Sequence, residues 1–131
     1  MIVLDSSAAV DYLAGYEPQA TWVAAQLTGQ EAHAPHLLDV EVVGALRRRV
    51  LSSQLARARA DLALSDLLGL RLVRYPHTPF LRRAWSLRTN LTVADGVFVA
   101  LAEALDAPLV TTDGRIAAAA GIRAEILSFF A

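Results

Sequence analysis

Four acids stand apart from the rest of the 131-residue chain by where they sit: Asp5, Glu41, Asp95 and Asp113. Asp5 and Asp113 each close a short apolar run, Ile2-Val3-Leu4 and Leu109-Val110-Thr111, which is how a carboxylate sits just past the end of a strand. Asp95 is the only charged residue between Leu91 and Ala102, and Glu41 is set among Val40, Val42 and Val43. Each has an ordinary role open to it. Asp5 and Asp113 can cap the helices that follow them, Asp95 can complete a capping box with Thr92, and Glu41 can pair with Arg48 or Arg49. A capping box accounts for the start of the segment after Leu91, but not for its otherwise apolar character, and a carboxylate buried there needs a partner. Asp39 points to the other side of its helix from Glu41 and suits the first turn, where the helix dipole favours an acid.

The set says more than its members. The chain has no lysine, and few arginines lie in the segments that carry the four acids. Clustered carboxylates repel one another unless a cation sits among them, and oxygen-only ligands select a hard divalent ion such as Mg²⁺ or Mn²⁺. An ion held in this way can activate water and grip a phosphodiester. Ser6 and Thr111 are placed to support the carboxylates by hydrogen bonds. The charge distribution agrees with a phosphate substrate. Residues 42 to 94 contain ten arginines and two acids, a balance of +8, whereas the rest of the chain contains two arginines and eleven acids, a balance of -9. The net charge of -1 therefore excludes only indiscriminate electrostatic binding. Arginine suits phosphate and stacks on bases, and Arg47, Arg48, Arg82 and Arg83 are the candidates for gripping a substrate. Solvated helix faces and interhelical pairs account for some of the others.

Positioning these groups requires strands and helices in alternation. Strands are expected at 2–4, 31–34, 70–75 and 109–111, with 126–127 as an edge strand. Helices are expected at 8–13, 18–27, 37–51, 55–68, 79–87, 92–105 and 116–120. Leu55, Ala58, Leu62 and Leu68 would form the apolar stripe of the fourth. Short apolar strands separated by helices predict an α/β domain with a mostly parallel central sheet, 1–131 forming one unit. Ligands of such sheets gather outside the carboxyl ends of the strands.

Other chemistries find little support. Absence of lysine removes Schiff bases and the phosphate-binding P-loop, and no G-x-S-x-G or G-x-G-x-x-G occurs. With no cysteine and no H-E-x-x-H, a zinc site is not expected, and His33, His36 and His77 read as surface residues. Ser7 stands where a haloacid-dehalogenase-type phosphatase would have a second Asp. No apolar run approaches the ~20 residues of a membrane span. An acid stands where a signal peptide would carry its basic region, so the expectation is a soluble cytoplasmic protein.

Val3-Leu4-Asp5-Ser6-Ser7, Glu41, Leu91-Thr92-Val93-Ala94-Asp95 followed by Val99-Ala100-Leu101-Ala102, and Leu109-Val110-Thr111-Thr112-Asp113 together resemble the PIN-domain ribonucleases. More narrowly, they resemble the VapC toxins of bacterial VapBC toxin–antitoxin pairs. The resemblance spans nearly the whole chain and rests on the order and spacing of the four acids. It implies a PIN-like α/β/α sandwich and a Mg²⁺- or Mn²⁺-dependent endoribonuclease acting on structured RNA. Asp5, Glu41, Asp95 and Asp113 would be its acidic quartet, Asp5 and Asp95 its metal ligands, and Thr111 its matching hydroxyl. A homodimer and a cognate VapB antitoxin that covers the acidic pocket are implied as well, and the segment 45–70 is a reasonable place for the antitoxin's apolar grip. Where some relatives have a further acid, this chain has Arg115, which implies a second metal weakly held or absent. The competing reading is a non-catalytic PIN-like module that holds RNA or a partner. A DNA phosphodiester would fit the same residues.

Overall fold

A computed structural model describes residues 1–130. The chain runs β1 (Ile2–Leu4), α1 (Ser6–Ala14), α2 (Gln19–Leu27), β2 (Ala32–Pro35), α3 (Leu37–Leu51), α4 (Arg57–Gly69) and β3 (Leu72–Tyr75). A single 3₁₀ turn (Thr78–Phe80) follows, then α5 (Leu81–Ser86), α6 (Val93–Leu105), β4 (Leu109–Thr111), α7 (Gly114–Ala118) and β5 (Ile126–Ser128). The five strands form one sheet in the order β3-β2-β1-β4-β5, and every pairing is parallel. Helices flank the sheet as in a PIN-like α/β/α sandwich: α1 packs with α2, α3 and α4, while α6 packs on β1, β2 and β4 and against α5.

The order of the strands matters for the site. The chain builds outward from β1 through β2 to β3, then returns to lay β4 on the other side of β1. The direction of winding therefore reverses between β1 and β4, and the crevice beyond their carboxyl ends is where an open parallel sheet places its ligands. Val3 is in register with Leu109 and Leu4 with Val110, so Asp5 and the 111–113 segment emerge side by side. All of β1 and β4 is buried, as continuous apolar strands covered on both faces must be.

The expected helix at 79–87 is split, because the turn carrying Pro79 winds as 3₁₀ and regular helix begins only at Leu81. The stripe expected on α4 is corrected too. Its buried residues are Ala60, Ala63 and Leu67, whereas Leu62 and Leu68 face outward. The small alanines let α4 lie close to its neighbours, and Leu62 and Leu68 on the other face stay exposed. His33 is not a surface residue: it lies buried in β2 between Tyr75 Oη (2.6 Å from Nδ1) and Glu31 Oε1 (2.7 Å from Nε2). His36 is exposed, as is His77. Among the described residues no helix is long and apolar enough to cross a membrane.

Candidate active site

The four acids reach one place by four routes. Asp5 leaves β1, Glu41 stands in the first half of α3, Asp95 in the first turn of α6, and Asp113 leaves β4. All four line a single cleft of about 210 Å³, together with Ser6, Ser7, Val10, Ala45, Arg48 and Arg49.

Asp5 is the most constrained. Its side chain is buried and caps α1, Oδ1 accepting the Ala8 N–H at 2.9 Å and the Ser7 hydroxyl at 2.8 Å. Burial pushes its carboxyl up to about 7, against the hydrogen bonds from Thr111, Ala8 and Ser7, and the neighbouring charge of Asp95 adds to the rise. Asp95 is raised for similar reasons. Burial comes first; hydrogen bonding with Thr92 and the charge of Arg115 oppose it, and Asp113 reinforces it. Thr92 Oγ1 accepts the Asp95 N–H at 3.1 Å, so Thr92 is the cap of α6.

Glu41 pairs with neither arginine considered for it. Its Oε1 accepts the Ser6 hydroxyl at 2.6 Å, while Arg49 donates to Asp11 at 3.1 Å. Asp39, on the other side of α3, holds Arg74 with both oxygens, at 2.7 and 3.0 Å. Asp113 caps α7 and is clasped by Arg115, whose Nε and Nη2 lie 3.1 and 2.8 Å from its two oxygens. That clasp holds the Asp113 carboxyl below the ordinary carboxylate range.

Behind the acids runs a network in which Thr111, expected to support the carboxylates, is joined by Ser7, Asp11 and Thr112, which the sequence did not single out. Ser7 Oγ, besides donating to Asp5, accepts the Thr112 N–H at 3.2 Å and lies 3.3 Å from Thr111 Oγ1. Thr111 Oγ1 in turn accepts the Asp113 N–H at 2.9 Å. Thr112 donates its hydroxyl to Asp11 Oδ2 at 2.8 Å, and Asp11 is buried one turn along α1 from Ser7. The carboxyl ends of β1 and β4 are thereby laced together through side chains. The i, i+4 spacing of Ser7 and Asp11, which puts both on one face of a largely apolar helix, was the signal available for them.

The arginines divide. Arg48 lines the acidic cleft. Arg47 borders a separate apolar groove between α3 and α4, and Arg82 is exposed on α5. Arg83 is committed to the framework: its Nε and Nη2 lie 2.7 and 3.0 Å from the two Glu103 oxygens, and Nη2 also donates to Gly121 O.

The PIN-domain family profile matches residues 2–122, which takes in all four acids and the cleft between them. The chain belongs to the PIN-domain family, among the VapC ribonucleases. It is 45% identical to Ribonuclease VapC12 of Mycobacterium tuberculosis over 96% of this chain and 97% of that one. It is 47% identical to Ribonuclease VapC1 of the same organism, over 95% and 94%. Solved folds agree. A Pyrobaculum aerophilum protein, PAE2754, superposes with a TM-score of 0.68 at 24% identity, covering 95% of this chain and 81% of that one. VapBC2 from Rickettsia felis, solved bound to a DNA fragment from its promoter, gives 0.65 at 14% identity, covering 98% of each chain.

Does the cleft of this VapC-type chain suit a divalent cation? Among the described residues no three carboxylates or imidazoles converge into a ready-made cluster. Asp5 and Asp95, whose carboxyls are raised by burial and by neighbouring negative charge, nonetheless lie within ion-pair distance of no arginine among the described residues, which leaves their charge for a cation to balance. Mg²⁺ is commonly held by one or two carboxylates with water completing its shell, and the all-oxygen donor set here meets that need.

Proposed function

We propose that this chain is a VapC-type toxin, an endoribonuclease that hydrolyses RNA phosphodiester bonds with Mg²⁺ or Mn²⁺ and is held in check by a VapB-type antitoxin. The observation that carries the reading is the convergence of Asp5, Glu41, Asp95 and Asp113 on one cleft at the winding reversal of the sheet. The relatives bearing the name ribonuclease, matched over nearly their full length, support the substrate class.

Asp5 and Asp95 are the residues that would hold the cation, which when bound supplies Lewis acidity toward water and the phosphodiester. The protein's own part is positioning. Ser7 and the Ala8 N–H fix the Asp5 carboxylate, leaving Oδ2 free of both contacts. Ser6 turns Glu41 so that Oε2, the oxygen it does not engage, is available to accept a proton. Asp113, anchored by Thr111 at its backbone and by Arg115 at its side chain, completes the negative wall. Arg48 offers a positive rim for the phosphate chain.

A single unit over 1–131 carries all of this, and we propose that it pairs as a homodimer in the cytoplasm. The VapBC2 assembly of the Rickettsia felis neighbour supports an antitoxin partner by analogy. A non-catalytic module is disfavoured, because such a module has no reason to keep four acids in one cleft.

The test is cleavage of RNA by the purified chain with Mg²⁺ or Mn²⁺. Asp5→Asn and Asp95→Asn should fold and fail to cut, with loss of at least ~100-fold in rate. Equal activity in these variants, or activity that survives EDTA, would overturn the reading. Calorimetric titration with Mn²⁺ gives a second arm, since a scaffold without a metal site would show no saturable binding.

A further inference from the structure

A second cleft, of about 280 Å³, adjoins the acidic one and shares Asp95 with it; its other walls are Arg88, Thr89, Asn90, Leu91, Thr92 and Arg115. Two arginines and three uncharged polar side chains thus face a space that opens directly beside a catalytic carboxylate. Neither arginine belongs to the group that the sequence singled out for RNA.

Arg88 is the more telling of the two. Among the described residues it has no carboxylate partner within ion-pair distance, unlike Arg49, Arg57, Arg74, Arg83 and Arg115. It is nevertheless held in place: its guanidinium lies 4.5 Å above the Trp85 ring, and one Nη donates to Trp85 O at 3.1 Å. A guanidinium held over an indole, with most of its five N–H groups unspent, is prepared to donate to an oxyanion. The loop beneath it is preformed. Asn90 and Leu91 both return their N–H to Leu87 O, and Asn90 Nδ2 ties the loop to Ala120 O at 3.0 Å.

Arg115 stands on the opposite wall. It clasps Asp113 and is largely exposed, so it can retain that contact through one nitrogen while turning another to a ligand. Thr92 Oγ1 accepts the Asp95 N–H and its hydroxyl also bonds the Asp95 carboxyl, so Thr92 fixes the shared wall between the two clefts. An RNA chain crossing the acidic cleft would present a phosphate on each side of the bond to be cut. The acids repel both, and the fold offers a positive group at each rim, Arg48 on the α3 side and the Arg88–Arg115 pair on the α6 side.

We infer that the cleft between Arg88 and Arg115 is a phosphate subsite for RNA, holding the phosphodiester next to the one cut, with Trp85 as the residue that positions Arg88. The inference rests on the ribonuclease reading above and adds to it where the substrate's neighbouring phosphate is gripped.

The experiment measures binding apart from cutting. A short, fluorescein-labelled single-stranded RNA is titrated into the Asp5→Asn protein in EDTA and followed by anisotropy at several salt concentrations. Arg88→Ala and Arg115→Ala should each weaken binding roughly 5- to 20-fold and flatten the salt slope by about 0.7. Arg71→Ala, an exposed arginine at the far edge of the sheet with the same change in charge, should leave both unchanged. Because Arg115→Ala also uncovers Asp113, the pair Arg115→Ala/Asp113→Asn separates the two effects: the loss should persist in it. Trp85→Leu should weaken binding through Arg88 and add little to Arg88→Ala. Equal losses in all three arginine variants, no loss in any, or full recovery in the double variant would each overturn the subsite. Absence of RNA cleavage by the wild-type protein with Mg²⁺ would instead sink the ribonuclease reading, so the two failures are distinguishable.

Discussion

Asp5 shows what the site costs the fold. A carboxyl whose ordinary value is 3.8 and which burial lifts to about 7 is protonated more readily folded than unfolded. The folded state gains stability from that proton below about pH 4 and loses it as pH rises toward 7. In EDTA, stability measured by urea unfolding should therefore fall across this window, by at most about 1.4 kcal/mol per pH unit, and Asp5→Asn should flatten the profile and be the more stable protein at neutral pH. A wild-type profile that rises through the same range would contradict the assignment. Glu103 behaves in the opposite sense, held below its ordinary value chiefly by Arg83, so its contribution is present at neutral pH and is lost in acid. Arg83→Ala should cost about 1–2 kcal/mol in thermal or urea unfolding, discounted for partial exposure, with RNA affinity unchanged, as befits a framework residue. The sequence exposed the four acids because each is anomalous locally, at a strand end or on an apolar helix. It did not expose Ser7, Asp11 or buried His33, because short polar residues become informative only once their partners, Thr112, Arg49 and Tyr75, are brought across the sheet.

Among the elements, α6 carries the tightest constraint. A Cβ on Gly96 would meet Ala84 Cα at 2.9 Å and Ala84 Cβ at 3.0 Å, so α5 and α6 touch at a distance that only glycine permits. Gly96 follows Asp95 directly, and pushing the helices apart would move the carboxylate as well as loosen the core. Gly96→Ala should destabilise by about 1–3 kcal/mol and reduce cleavage more than the fraction unfolded explains; activity that merely tracks the folded fraction would show that Asp95 tolerates the shift. The strand and helix order was readable from apolar runs and their punctuation, since Ile2–Leu4 and Leu109–Thr111 are too short and too apolar to be amphipathic helices. The orientation of α4 was not. Hydrophobicity favours its leucines, yet close packing selects Ala60 and Ala63, and which face is buried depends on how near α1 and α3 come.

On the scale of the whole molecule, the +8 of residues 42–94 overstates what RNA can meet. Four of those ten arginines are spent within the protein, Arg49 on Asp11, Arg59 on Leu13 O, Arg74 on Asp39 and Arg83 on Glu103, and a fifth, Arg57, lies 3.8 Å from Asp61 in an exposed pair. Folding converts much of a basic segment into framework contacts and leaves Arg48 and Arg88 bordering the acids, where Arg115, from outside the segment and clasping Asp113, joins them. Three phosphate contacts to single-stranded RNA predict a slope of log affinity against log salt of about -2, or roughly a twentyfold loss between 50 and 200 mM. Engagement of all ten arginines would give about -7. Anisotropy titrations of the Asp5→Asn protein in EDTA decide between them, and a slope near the steeper value would mean that the middle of the chain binds RNA as a block, its ion pairs opened by the substrate.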